Sequence, residues 1–264
     1  MAEITNPDVV NRLVESIDTS EASKEVETLL PPSSEVYLPG GFIDFNGVLY
    51  KYAEVKELTG ADEEALSKAG SLYGVLQTAL SRGLVNIGGE PVTTSDFDSL
   101  LAGDRDAILL GIRRVTFGNI IKQPSACQNC GTGDIWEIDI ENDIPVSELD
   151  NPITDRVFSV KVKAGEVELG LPNGITQKKL LQAENKTPSE LITIALAGCI
   201  NSVDGSVSMG RTTALELGIS DRETLITELY SRAPGPRLGE VSKACKACGK
   251  DTFVPLSLAD LFRF

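Results

Sequence analysis

Two hydrophobic periods alternate along the chain, and the order in which they alternate is used twice. Phe42–Phe45 and Val48–Val55 have the pattern of strands, and Asn46-Gly47 between them is a hairpin signal. Thr59-Gly60-Ala61-Asp62-Glu63-Glu64 predicts a helix start, with acids in the first turn, where the macrodipole favours them. Its apolar positions continue through Leu66, Leu72, Val75, Leu76 and Leu80 to a stop near Arg82-Gly83. Leu84–Ile87 is an apolar run closed by Gly88-Gly89. Ser95–Leu101 predicts a short helix, and Asp104 the cap of another that carries Ile108, Leu109, Ile112 and Val115.

The same succession then returns. Val157–Val162 and Glu166–Leu171 predict paired strands around Ala164-Gly165. Helices follow at Thr176–Ala183 and, behind a Thr187-Pro188 cap, at Ser189–Ile200. A turn at Asp204-Gly205 leads to a helix near Thr212–Leu217 and to one capped by Asp221 with Leu225, Ile226 and Leu229 on its face. Individual residues match as well: Ala79-Leu80 with Ala195-Leu196, Gly89 with Gly205, Asp104-Arg105 with Asp221-Arg222, Ala126-Cys127 with Ala244-Cys245. The spacing between partners grows by one residue from group to group, as single insertions in loops would produce. The expectation is an α+β fold of two structurally similar halves, residues 35–149 and 150–264. Each would hold short antiparallel β-hairpins, a helix cluster and one cysteine pair.

Residues 1–34 are acidic and polar, with Val9, Val10, Leu13, Val14 and Ile17 at helical spacing, and predict an N-terminal arm. The tail ends in Leu261-Phe262-Arg263-Phe264. Those side chains either close the core or dock onto another subunit.

CQNCG at Cys127–Gly131 and CKACG at Cys245–Gly249 carry the candidate chemistry. Each sets two thiols three residues apart, followed by a glycine able to take the positive φ of a tight turn. Together Cys127, Cys130, Cys245 and Cys248 supply the four thiolates of a structural Zn2+ site, zinc-ribbon-like, joining the two halves. Iron at the same sulfurs, separate redox pairs and disulfides are the competing readings. A redox CxxC normally follows a strand and opens a helix, whereas both pairs here sit in polar loops that lead into strands. Cys199 lies in the apolar run LITIALAGCI and is expected to be a buried spectator.

Composition narrows the function. No histidine occurs among 264 residues, which removes Ser-His-Asp and Cys-His catalysis and HExxH metal sites. Neither a GxxxxGK[ST] loop nor a GxGxxG fingerprint is present. A four-thiolate centre keeps no open position for a substrate, so the chain is not expected to be an enzyme. The net charge of −15 opposes nucleic acid and anionic membranes as partners. No run of 18 apolar residues predicts a membrane span, and MAEITNPDVV lacks the flank and core of a signal peptide. Synthesis in a reducing cytosol is expected, which suits thiolate–metal bonds. Arg105 and Arg222, in the first turns of matching helices, oppose the macrodipole. Each predicts a solvated side chain or an acidic partner across the halves.

VLYKYAEVKELTGADEEALSK (Val48–Lys68), LLAGDRDAILLGIRRVTFGN (Leu100–Asn119), the knuckle at Cys127 and Cys130, and the turn Leu171-Pro172-Asn173-Gly174 occur in that order. The combination resembles the baseplate hub, or tail-tip, protein family of T-even-like tailed bacteriophages. The resemblance implies a structural or assembly component of the virion, assembled in the host cytoplasm and contacting other tail and baseplate proteins. It implies no reaction. The alternative is a zinc-ribbon module binding nucleic acid or a polymerase.

Overall fold

The structure, a computed structural model, describes residues 33–262 apart from Glu184. The expected N-terminal arm, but for Ser33 and Ser34, lies outside the described residues, as do Arg263 and Phe264.

The chain opens with β1 (Glu35–Ile43) and β2 (Leu49–Val55), then α1 (Gly60–Ser67) and α2 (Leu72–Gly83). β3 (Leu84–Ile87), β4 (Glu90–Pro91), α3 (Thr94–Ser99) and α4 (Ala102–Phe117) follow. A hairpin of β5 (Ile120–Ala126) and β6 (Gly133–Asp139) and the short β7 (Val146–Ser147) lead to the second set. That set is β8 (Val157–Val162), β9 (Gly165–Gly170), α5 (Gly174–Leu181), α6 (Pro188–Cys199), β10 (Ile200–Val203), β11 (Ser206–Val207), α7 (Arg211–Glu216) and α8 (Ile219–Arg232). β12 (Gly235–Pro236) pairs with β7, and a last hairpin joins β13 (Ser242–Ala244) to β14 (Asp251–Phe253). The architecture is mixed α+β with antiparallel sheets. Both four-stranded sheets keep their strands in chain order, β1-β2-β3-β4 and β8-β9-β10-β11.

Local chemistry sets most boundaries. Thr59 and Asp62 form a capping box at α1, and Thr187 with Glu190 forms one at α6, where Pro188 occupies the first turn. Ser71 accepts from the Gly74 amide and starts α2. Asp104 and Asp221, however, are not caps. α4 and α8 begin earlier, at Ala102 and Ile219, and the two aspartates lie inside the first turn. Asp104 accepts from the Gly40 amide at 2.7 Å. Asp221 accepts from the Lys163 and Ala164 amides at 3.2 and 3.0 Å. Asp104 therefore ties α4 to β1, and Asp221 ties α8 to the turn between β8 and β9.

The Gly40 amide is free to be bound because β1 bulges. Its register moves from Tyr37 opposite Tyr52 to Phe42 opposite Tyr50, pushing Leu38–Gly41 out of the ladder. Gly41 takes φ +70°, a conformation that favours glycine. The Arg156 guanidinium donates to the Gly40 and Gly41 carbonyls. Asp104 is fully buried beside it. Burial pushes its carboxyl up to about 7, against the pull of the Gly40 amide and of Arg156. An unfolded aspartate titrates near ~4, so the folded state holds this proton more tightly. The contribution to stability is full below about pH 4 and is lost as pH rises towards about 7. Asp104→Asn is expected to flatten the fall in stability across that window, read by urea melts at several pH values. An unchanged slope would refute the assignment.

Arg105 is 2% exposed, neither solvated nor facing a carboxylate directly. Its Nε donates to Gln177 Oε1 at 2.6 Å, Nη1 to the Phe97 carbonyl at 2.6 Å and Nη2 to Gln77 Oε1 at 3.1 Å. Gln177 in turn donates to Asp106 at 2.6 Å. Arg222 donates through Nη2 to the Ser189 carbonyl and to Thr193 Oγ1.

The apolar interior is divided unevenly. One core gathers Leu38, Leu80, Ile108 and Ile112 with Trp136 and Ile138, and continues into Val241, Val254, Leu261 and Phe262. A second holds Val167, Leu169, Leu196 and Leu225. Both cysteine hairpins and the C-terminal segment thus pack with the first helix cluster. Leu261 and Phe262, 1% and 6% exposed, close that core.

Candidate metal centre

Both CxxCG segments form the tip of a two-stranded hairpin, and the two tips are built alike. The Gly131 amide donates to the Cys127 carbonyl at 2.8 Å and the Cys127 amide to the Thr132 carbonyl at 2.9 Å. The Gly249 amide donates to the Cys245 carbonyl at 2.8 Å and the Cys245 amide to the Lys250 carbonyl at 2.9 Å. Gly131 and Gly249 have φ of +74° and +71°, so the turn depends on glycine at both places. The two tips face one another. The Gln128 amide donates to Thr252 Oγ1 at 3.0 Å and Asn129 Nδ2 to the Asp251 carbonyl at 2.8 Å. Behind them, Gln123 Nε2 reaches the Pro255 carbonyl at 2.8 Å.

This docking gathers the four predicted thiols. Cys127 Sγ lies 3.9 Å from Cys248 Sγ, and Cys130 Sγ lies 3.8 Å from Cys245 Sγ. All four sulfurs are within 4.8 Å of one another. A tetrahedron with metal–sulfur bonds of about 2.3 Å has edges of about 3.8 Å. Sulfur pairs at this spacing are not disulfides, whose bond is about 2.05 Å, and all five cysteines are free thiols.

Charge makes the same point. Burial works against ionisation of Cys127, but the Cys130 and Asn129 amides and the Cys245 thiol bring it down to about 6. Cys248, though helped by the Lys250 amide, is pushed up to about 11 by burial and by its three thiol neighbours. The two shifts oppose one another because the sulfur that ionises accepts hydrogen bonds, whereas Cys248 must keep its proton to donate one to its neighbours. The donor set is all sulfur, the set used for structural zinc and for iron. Four protein ligands complete a tetrahedron, so such an ion would hold the hairpins together and have no position for a substrate.

Cys127 and Cys245 are buried against the larger core while Cys130 and Cys248 are exposed. Thr252, 3% exposed, is a supporting residue that the spacing of the motifs did not reveal. Its role needs the second hairpin laid on the first. Cys199 stands apart in α6, 2% exposed, with its thiol pushed up to about 12 by burial. It is a packing residue.

No protein-family model matches this chain, and no curated protein or solved structure was found to be similar to it. Among the described residues, no helix is long and apolar enough to cross a membrane.

Proposed function

We propose that this chain is a zinc-stapled structural subunit of a bacteriophage tail tip or baseplate. It would contact other tail proteins through fixed surfaces and catalyse no reaction. The observation that carries the reading is the convergence of Cys127, Cys130, Cys245 and Cys248 in a closed four-sulfur set. Zinc is the ion proposed, because a closed all-protein tetrahedron is the usual form of its structural sites. The recurring order of elements supports reading residues 35–149 and 150–264 as two similar halves of one duplicated architecture. The tail-tip assignment is carried by the resemblance of Val48–Lys68 and Leu100–Asn119 to the baseplate hub family.

Two measurements test it separately. Metal analysis of the purified protein is expected to give one zinc per chain and no visible absorption. A coloured, iron-bearing protein or a metal-free one overturns the zinc assignment. Deleting the gene from the phage that carries it is expected to leave heads without completed tails. Normal infectious particles would dismiss the tail role while leaving the metal centre untouched.

A further inference from the structure

The two helix clusters meet in a contact that is not symmetric. The corner between α3 and α4, Leu100-Leu101-Ala102, lies against the N-terminus of α5. The Gly174 amide donates to the Leu100 carbonyl and the Ala102 amide to the Pro172 carbonyl, both at 2.9 Å. Leu101 and Asn173 form a β-bridge, and Leu101 packs on Leu171. Gly174, the first residue of α5, has no room for a side chain: a Cβ there would overlap the Phe97 carbonyl and crowd Arg105. Arg105, the fourth residue of α4, bonds Gln177, the fourth residue of α5.

Because the order of elements recurs, each side of this contact has a counterpart elsewhere on the molecule. The counterpart of the α3–α4 corner is the α7–α8 corner, Leu217-Gly218-Ile219. Its Leu217 is buried in the second core, but Ile219 is 79% exposed and Leu215 beside it 53%. The counterpart of the α5 N-terminus is the α1 N-terminus. It also begins with glycine, Gly60, yet a Cβ at Gly60 would meet nothing within 4 Å. Among the described residues, nothing calls for glycine there. Leu58, Gly60, Glu63, Leu66 and Phe117 line a groove at this end of about 140 Å³.

The main-chain groups correspond too. In the internal contact the α5 amide and the Pro172 carbonyl are paired with the α3–α4 corner. At the counterpart positions, the Gly60 and Ile219 amides and the Leu58 and Leu217 carbonyls make no main-chain bond among the described residues. The charges are complementary. Arg222 is the fourth residue of α8, as Arg105 is of α4, and among the described residues it bonds through Nη2 alone. The fourth residue of α1, where α5 has Gln177, is the exposed Glu63.

We propose that copies of this chain assemble head to tail, the α7–α8 corner of one copy seating on the α1 groove of the next. The junction repeats between molecules what the α3–α4 corner and α5 form within one. Ile219 enters the groove beside Gly60, and Arg222 meets Glu63 of the next copy. A heterologous contact of this kind closes into a ring or continues as a filament. The inference rests on the recurrence of elements, and neither on the metal nor on the tail-tip reading.

Sedimentation velocity on the full-length protein over a range of concentrations tests it. Wild type is expected to form species larger than a monomer. Ile219→Glu and Gly60→Arg, both surface changes, are each expected to raise the concentration at which these appear by about thirtyfold, a single hot-spot loss. The melting temperature of the monomer stays the same. Mixing the two variants restores one intact junction per pair and is expected to give a dimer of unlike chains and nothing larger. A wild type that stays monomeric throughout, oligomers indifferent to both substitutions, or a mixture that remains monomeric overturns the proposal.

Discussion

Chelating the metal is expected to lower the melting temperature by about 10–30 °C and to loosen one part of the molecule selectively. Structural zinc contributes roughly 10–16 kcal/mol in small peptides at neutral pH, against about 5–15 kcal/mol for the whole stability of a typical domain. Here the hairpins also have apolar support from Trp136, Ile138, Val241 and Val254. Even half the peptide figure gives the stated fall, at about 2–4 °C per kcal/mol for a chain of this size. The loss is local in origin. Without the ion, sulfurs 3.8 and 3.9 Å apart must hold protons or separate. Residues 120–139 and 241–262 are then expected to lose amide protection together. The core of Val167, Leu169, Leu196 and Leu225 is a separate cluster and keeps its protection. Hydrogen exchange on metal-free and metal-loaded protein reads both regions at once. Unchanged melting and exchange in protein shown to be metal-free would refute the stapling role.

The second large effect belongs to Arg105. Replacing it by leucine leaves Gln177, Gln77 and the Phe97 carbonyl in a buried setting without their donor. Hydrogen bonds from a charged group and the penalty for stranding buried acceptors together put the cost at about 3–5 kcal/mol, or roughly 6–20 °C in melting temperature. Lysine is not a substitute, because one ammonium cannot reach acceptors on three separate elements as a planar guanidinium does. Arg222→Ala is the control. Among the described residues its guanidinium bonds Ser189 and Thr193, both on α6, and its loss is expected to cost much less. Equal melting temperatures for the two variants would show that Arg105 does not hold the helix clusters together.

Some of this was legible in the residue order. The Thr59 and Thr187 caps follow from side chains bonding amides three residues away, and the strand and helix order follows from periods of two and 3.6. The knuckles were legible for the same reason, since CxxCG specifies its own turn. Asp104 and Asp221 misled because an acid in the first helical turn and an acid at the cap are favoured by the same dipole. The burial of Arg105 and the support from Thr252 were not legible. Each depends on an element from far along the chain.

What the sequence alone determined are the features whose energy lies within a few residues: caps, turns, the repeated alternation of hairpin and helix, and two thiol pairs each aimed by its own glycine turn. Tertiary structure alone decided which surfaces those pieces share. It brought Cys127 against Cys248 and Cys130 against Cys245, and placed the second knuckle and the C-terminal segment in the first helix cluster's core. It also covered one helix corner while leaving Ile219 of its counterpart exposed. The physical reason is range. A local pattern records bonds between neighbours, whereas apolar burial is non-directional and takes its partners from wherever the chain happens to return.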